Sequence, residues 1–157
     1  MKLSLWSIGK PNEAYVKEGV EEFTKRINRY YAAEWSILPV PKNAGLLSET
    51  DLKKREGEMV LDRLNDDDYL VALDERGKSL TSEGLSQFIQ QRATESSKNV
   101  VFLIGGAFGL DEAVLKRAKL KWSLSELTFP HQLVRLILAE QLYRACSILR
   151  NEKYHHK

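Results

Sequence analysis

Cysteine is almost absent: Cys146 is the only one among 157 residues. No intrachain disulfide is available, so the fold rests on its core, and the composition fits a reducing, cytoplasmic compartment. Three histidines beside that cysteine have no ligand-like spacing, which argues against a metal site. No apolar run approaches the ~20 residues of a spanning helix, so no membrane partner is expected. Charge of one sign is also lacking: 24 basic against 22 acidic residues leave +2, too little to demand a nucleic-acid partner by itself. Repeats, linkers and low-complexity tracts are missing as well, and residues 1–157 read as one domain. The opening MKLSLWSIGK has no small-residue cleavage site and reads as a buried first strand.

What is present is an alternation of strand-like and helix-like segments, which predicts an α/β fold with a mostly parallel sheet and helices on both faces. LSLWSIG (3–9) is a short apolar run, followed by a helical spacing of Ala14, Val16, Val20, Phe23 and Ile27. WSILPV (35–40) is a second strand whose prolines place it at a sheet edge. Ser48 with Asp51 opens a helix to about Leu64, as a capping box would. YLVALD (69–74) and NVVFLIG (99–105) are continuous apolar strands of the kind buried on both faces. ERGK between the first of these and the next helix reads as a turn, with Thr81 or Ser82 as cap. Asp111 caps a further helix, KWSLS (121–125) is a short last strand, and Pro130 starts a long helix to about Leu149. That helix carries two apolar stripes, Val134-Leu138-Leu142-Ala145-Leu149 and Leu133-Ile137-Ile148, which predicts a homodimer through the second one.

Three strand ends carry unusual sequence. After the fourth strand comes Gly105-Gly106-Ala107-Phe108-Gly109, which matches neither the dinucleotide fingerprint nor the Walker loop. The others are Leu73-Asp74-Glu75-Arg76-Gly77 and Ser123 through Gln132. In open α/β sheets ligands bind beyond the carboxyl ends of strands. Backbone amides interleaved with apolar side chains suit an adenine and a thioether better than a triphosphate.

ALDERGK, LTSEG, FLIGGAFGL, SLSELTFPHQLVR and the terminal Tyr154-His155 together resemble the small SPOUT-class methyltransferases, closest to those that methylate a pseudouridine base nitrogen of large-subunit rRNA. The resemblance spans the chain. It implies a C-terminal trefoil knot, a homodimer, and S-adenosylmethionine held by Leu73, Gly105, Leu124, Ser125, Glu126, Leu127, Thr128 and Phe129. It implies 23S rRNA in the assembled ribosome as substrate, and His131, Arg135, Tyr154 and His155 as catalytic residues, with Arg144 as a further electrostatic stabiliser. Relatives end in Tyr-His followed directly by a cation, whereas His156 intervenes here before Lys157. Lys25, Arg26, Arg29, Lys116 and Arg117 are candidates for RNA phosphates, and Tyr30 and Tyr31 for base stacking, while Trp122 reads as core. Methylation of another RNA, a flavodoxin- or dehydrogenase-like domain, and a non-catalytic RNA-binding dimer are the competing readings.

Overall fold

The computed structural model describes all 157 residues. In chain order they form β1 (Lys2–Ile8), α1 (Ala14–Ile27), β2 (Ala32–Leu38), α2 (Glu49–Arg63), β3 (Tyr69–Ser79), α3 (Ser82–Thr94), β4 (Asn99–Ile104), α4 (Glu112–Arg117), β5 (Leu120–Ser123) and α5 (His131–Leu149). Caps fall where short polar side chains can take up orphan helix amides. The hydroxyl of Ser48 accepts from the Asp51 amide, that of Thr81 from the Gly84 amide, and the Asp111 carboxylate from the Ala113 amide.

The strands make one sheet in the order β2-β1-β4-β3-β5, with every pairing parallel. Alternate residues of each strand face opposite layers. Leu3 and Leu5 of β1, Val100 and Phe102 of β4 and Val71 of β3 meet α1, α3 and α5 through Ile27, Leu85, Ile89, Leu138 and Leu142. Trp6 and Ile8, Val101 and Leu103, Leu70 and Ala72 meet α2 and α4 through Val60, Val114 and Leu115. The continuous apolar strands are therefore covered on both sides, and the α/β expectation holds.

Element boundaries differ from the sequence reading in three places. β2 begins at Ala32 and stops before Pro39, although it does lie at a sheet edge. β5 ends at Ser123, two residues early. The largest difference is β3. ERGK is not a turn but the continuation of the strand, which resumes its pairing with β5 at Lys78 and Ser79 after a bulge. At that bulge the strand crosses close over β5: a Cβ on Gly77 would stand 2.5 Å from the carbonyl carbon of Lys121 and 2.7 Å from the Trp122 nitrogen.

Candidate active site

The carboxyl ends of β3, β4 and β5 converge on one cavity of about 640 Å³, within the ~300–1,000 Å³ usual for small-ligand sites. Leu73, Gly105, Leu124, Ser125, Leu127, Thr128 and Phe129 all line it. Glu126 does not: it is exposed and points away from the cavity wall, because the 123–127 turn directs its neighbours inward. That turn is stiffened internally. The Ser123 hydroxyl donates to the Ser125 carbonyl at 3.1 Å, and the Ser125 hydroxyl accepts from the Leu127 amide at 3.0 Å.

The glycine loop forms the second wall. A Cβ on Gly105 would stand 2.9 Å from Leu110 Cδ2 and 3.0 Å from the Gly109 carbonyl carbon, so only glycine fits without moving the loop. Gly109 itself sits at φ +86°, where side chains are strained. Sequence reasoning missed several cavity residues. Ile104, Leu110 and Val134 add apolar wall, while Lys53, Asp74 and Arg76 bring charge to the rim. The Asp74 carboxylate is held by Arg76, whose Nη2 lies 3.2 Å from Oδ2. Trp122 is buried, as expected, with its ring edge-on to Phe102, but it also lines the cavity, and its indole N–H has no partner.

His131 and Arg135, one turn apart on α5, stand behind the glycine loop and outside the cavity wall. Arg135 is completely buried. Its Nη1 donates to the Lys10 carbonyl at 2.8 Å and to Asn12 Oδ1 at 2.9 Å, and its Nη2 approaches His131 Nδ1 at 3.5 Å. With Nδ1 accepting, the His131 Nε2–H donates to the Gly105 carbonyl. Burial, reinforced by the neighbouring guanidinium, lowers the His131 pKa despite that hydrogen bond, and keeps the ring neutral. Both ring nitrogens are thus engaged. The pair ties the β1 loop, α5 and the glycine loop together, and neither nitrogen of His131 is free to take a proton.

Tyr154 and His155 lie elsewhere. The Tyr154 hydroxyl donates to Glu140 Oε1 at 3.1 Å and its ring meets Tyr143 edge-on at 4.6 Å. His155 bridges two elements: Arg144 Nη1 donates to its Nδ1 at 3.1 Å, and its Nε2–H donates to Glu83 Oε1 at 2.8 Å. Glu83, from the LTSEG segment, and Glu140 were not singled out as site residues, since only the fold brings them to the tail. Arg144 follows His131 by 13 positions, which at ~1.5 Å per residue is about 20 Å along α5. Within one chain the four residues expected to be catalytic therefore form two separate pairs.

The basic surface is smaller than its sequence clusters suggest. Lys25, Arg29 and Lys116 are exposed. Arg26 is committed to Glu22 at 3.0 Å, and Arg117 donates to the carbonyls of Asn65 and Asp68. The Tyr30 hydroxyl donates to Glu152 at 2.7 Å. No three His, Cys, Asp or Glu side chains are arranged to hold a metal ion, and no helix is long and apolar enough to cross a membrane.

The parallel open sheet, with its cavity at the carboxyl ends and no phosphate cradle, defines the class as an α/β domain built to hold a nucleoside-like ligand under a glycine loop. The family model described as "Predicted SPOUT methyltransferase" matches residues 1–155, and the chain belongs to that methyltransferase family. It is 51% identical over 156 residues to a protein of Cytophaga hutchinsonii named "Ribosomal RNA large subunit methyltransferase H", covering 99% of this chain and 100% of that one. A Parabacteroides distasonis protein of the same name is 45% identical over 157 residues, with both chains covered completely. Among solved structures, a probable methylase family protein from Haemophilus influenzae superposes with a TM-score of 0.55 at 10% identity, covering 99% of this chain and 70% of that one, which concerns the fold alone.

Proposed function

We propose that this chain transfers a methyl group from S-adenosylmethionine to N3 of a pseudouridine in 23S rRNA of the assembled ribosome. The observation that carries this reading is the convergence of three strand ends on one cavity under a loop that only glycine can form, in a chain similar throughout to relatives named for large-subunit rRNA methylation. The site is one cytoplasmic domain, residues 1–157, acting as a homodimer. The close crossing of Gly77 over β5 supports a C-terminal segment threaded through the preceding loop as a trefoil knot.

The cavity fits the cofactor. Its apolar wall of Leu73, Ile104, Leu110 and Leu124 suits an adenine. The unpartnered indole N–H of Trp122 lacks an acceptor, and the space left by the missing side chain at Gly105 admits a ligand close to the backbone. Leu73, Gly105, Leu124, Ser125, Leu127, Thr128 and Phe129 would hold it; Glu126, facing solvent, would contribute backbone at most. When bound, S-adenosylmethionine supplies an electrophilic methyl on a sulfonium. The C–S bond breaks as the C–N bond forms, and the ring nitrogen loses its proton.

The protein's part is positioning and charge. His131 and Arg135 hold the glycine loop in place. Because Tyr154 and His155 are a helix away from the cavity of their own chain, a second copy brings its tail to the pocket. There the His155–Glu83 pair takes the ring proton at Nδ1, and Arg144 faces the charge developing on the ring oxygens. Exposed Lys25, Arg29 and Lys116 meet RNA phosphates.

The test uses radiolabelled S-adenosylmethionine with ribosomes from a strain lacking the modification. Label is expected in large-subunit rRNA at a pseudouridine. Label confined to tRNA, or none at all, defeats the reading.

A further inference from the structure

Glu56 of α2 is an uncompensated charge beside the pocket. It is 3% exposed, and its Oε1 has no hydrogen-bond partner. The carboxylate lies directly against the glycine loop: a Cβ on Gly106 would stand 2.6 Å from Oε2 and 2.7 Å from Oε1. The next residue, Gly57, packs on Asp111 at the far end of the same loop. One turn earlier on the helix, Lys53 lines the cavity, so Glu56 sits behind the cavity wall with only Gly106 between.

No charge in the chain answers it. Lys53, on its own helix, forms no ion pair, and no other cation lies within ion-pairing distance. Asp111, from the α4 side, is a like charge that caps its own helix. Across the cavity Asp74 is bound to Arg76, and Glu75 is exposed. Beyond Gly105 stands neutral His131. Burial alone pushes the Glu56 carboxyl up from the ordinary range. A carboxylate withdrawn from water without a partner is costly to keep. A cation arriving in the cavity would supply the missing charge, and the lack of a side chain at Gly106 leaves no group to screen the two.

We propose that Glu56 is the selectivity residue that makes this pocket prefer a cationic occupant over its neutral counterpart, favouring the sulfonium donor before transfer and releasing the thioether after it. The inference rests on the cofactor reading above. Methyl transfer removes the positive charge from sulfur, so the attraction vanishes at the moment the product must leave. Because the free protein holds a proton on Glu56 above the usual carboxylate range, donor binding expels that proton. Donor affinity therefore rises with pH across the raised Glu56 range, whereas product affinity does not follow through this group.

Titration calorimetry with S-adenosylmethionine and with S-adenosylhomocysteine, from about pH 5 to 8, tests this. Both ligands share the amino-acid end, so their affinity ratio isolates the sulfonium. In the wild-type protein the ratio is expected to climb with pH. In Glu56→Gln it is expected to stay flat and move about tenfold toward the product, the equivalent of one pKa unit. Lys53→Met is expected to keep the preference for the cation. Identical ratios in wild type and Glu56→Gln, or loss of the preference in Lys53→Met alone, overturn the proposal. If Glu56→Gln does not fold, a wild-type ratio independent of pH overturns it equally. A wild-type protein that binds neither ligand would bring down the cofactor reading first.

Discussion

Replacing Gly77 by alanine tests the crossing on which the pocket is built. The added methyl would stand 2.5 Å from the Lys121 carbonyl carbon, 2.6 Å from its oxygen and 2.7 Å from the Trp122 nitrogen. Non-bonded carbons rest at ~3.5–4.0 Å, so the overlap is about 1 Å. All three atoms are backbone, and no rotamer change relieves them. Either the Lys78–Trp122 and Ser79–Ser123 pairings separate or β5 leaves the edge of the sheet. Overpacking that side chains can absorb costs ~1–3 kcal/mol, and with no such relief here about 3 kcal/mol or more is expected. For a chain of this size each kcal/mol shifts Tm by ~2–4 °C, which predicts a fall of about 6–12 °C. Urea unfolding and a thermal melt measure both quantities. Gly45→Ala is the matched control, since nothing lies within 4 Å of a Cβ there, and it should stay within ~0.5 kcal/mol of the wild type. A Gly77→Ala protein within about 1 kcal/mol of the wild type would refute the crossing.

Gly105→Val should abolish S-adenosylmethionine binding by calorimetry, because even one methyl would meet Leu110 and the Gly109 carbonyl carbon; a folded variant that still binds refutes the assigned wall. Arg135→Met should cost about 2–3 kcal/mol in urea unfolding, since it strips a buried donor from the Lys10 carbonyl and Asn12 and leaves them unsatisfied; a loss under about 1 kcal/mol sinks that account. His131 has a lowered folded pKa, so its neutral form contributes stability in full above the unfolded value of 6.5, lost as pH falls toward the folded value. His131→Gln should flatten the pH dependence of stability in that window, and an unchanged profile counts against the bonded neutral ring. If the site is shared between protomers, a 1:1 mixture of Gly105→Val and His155→Ala chains, each inactive alone, should recover about a quarter of the wild-type rate through mixed dimers; no recovery places the tail in its own chain's site.

The alternating fold was legible because its two longest apolar strands are buried on both faces, and that burial writes itself as unbroken runs at Val100–Ile104 and Leu70–Ala72. Caps were legible for the same local reason: Ser48, Thr81 and Asp111 act within three residues of themselves. ERGK failed because a glycine between charges is what a turn looks like, while the close approach of Lys121 that requires it is 44 positions away. Glu126 failed differently. The stretch around it is a wall of the pocket, but its own direction is set by hydrogen bonds of Ser123 and Ser125. Glu56 left no trace in the sequence, since a glutamate in a charged helix reads as solvated until the fold presses it against Gly106.

The same contrast bears on which groups do chemistry. Arg135 and His131 stand in a segment that invites a catalytic reading, yet a fully buried guanidinium bonded to a carbonyl and an amide, beside a neutral imidazole held at both nitrogens, is scaffolding. Such an arrangement fixes the Gly105 carbonyl, and through it the wall that a cofactor would touch. The tail residues have the opposite character. Tyr154 and His155 are half-buried and bound mainly to charged side chains, Glu140, Arg144 and Glu83, which can exchange partners when a substrate arrives. Rigid neutral bonding behind the loop and exchangeable charged bonding at the tail divide the work: one end of α5 holds the donor's site in shape, and the other presents the proton-handling groups to a neighbouring chain.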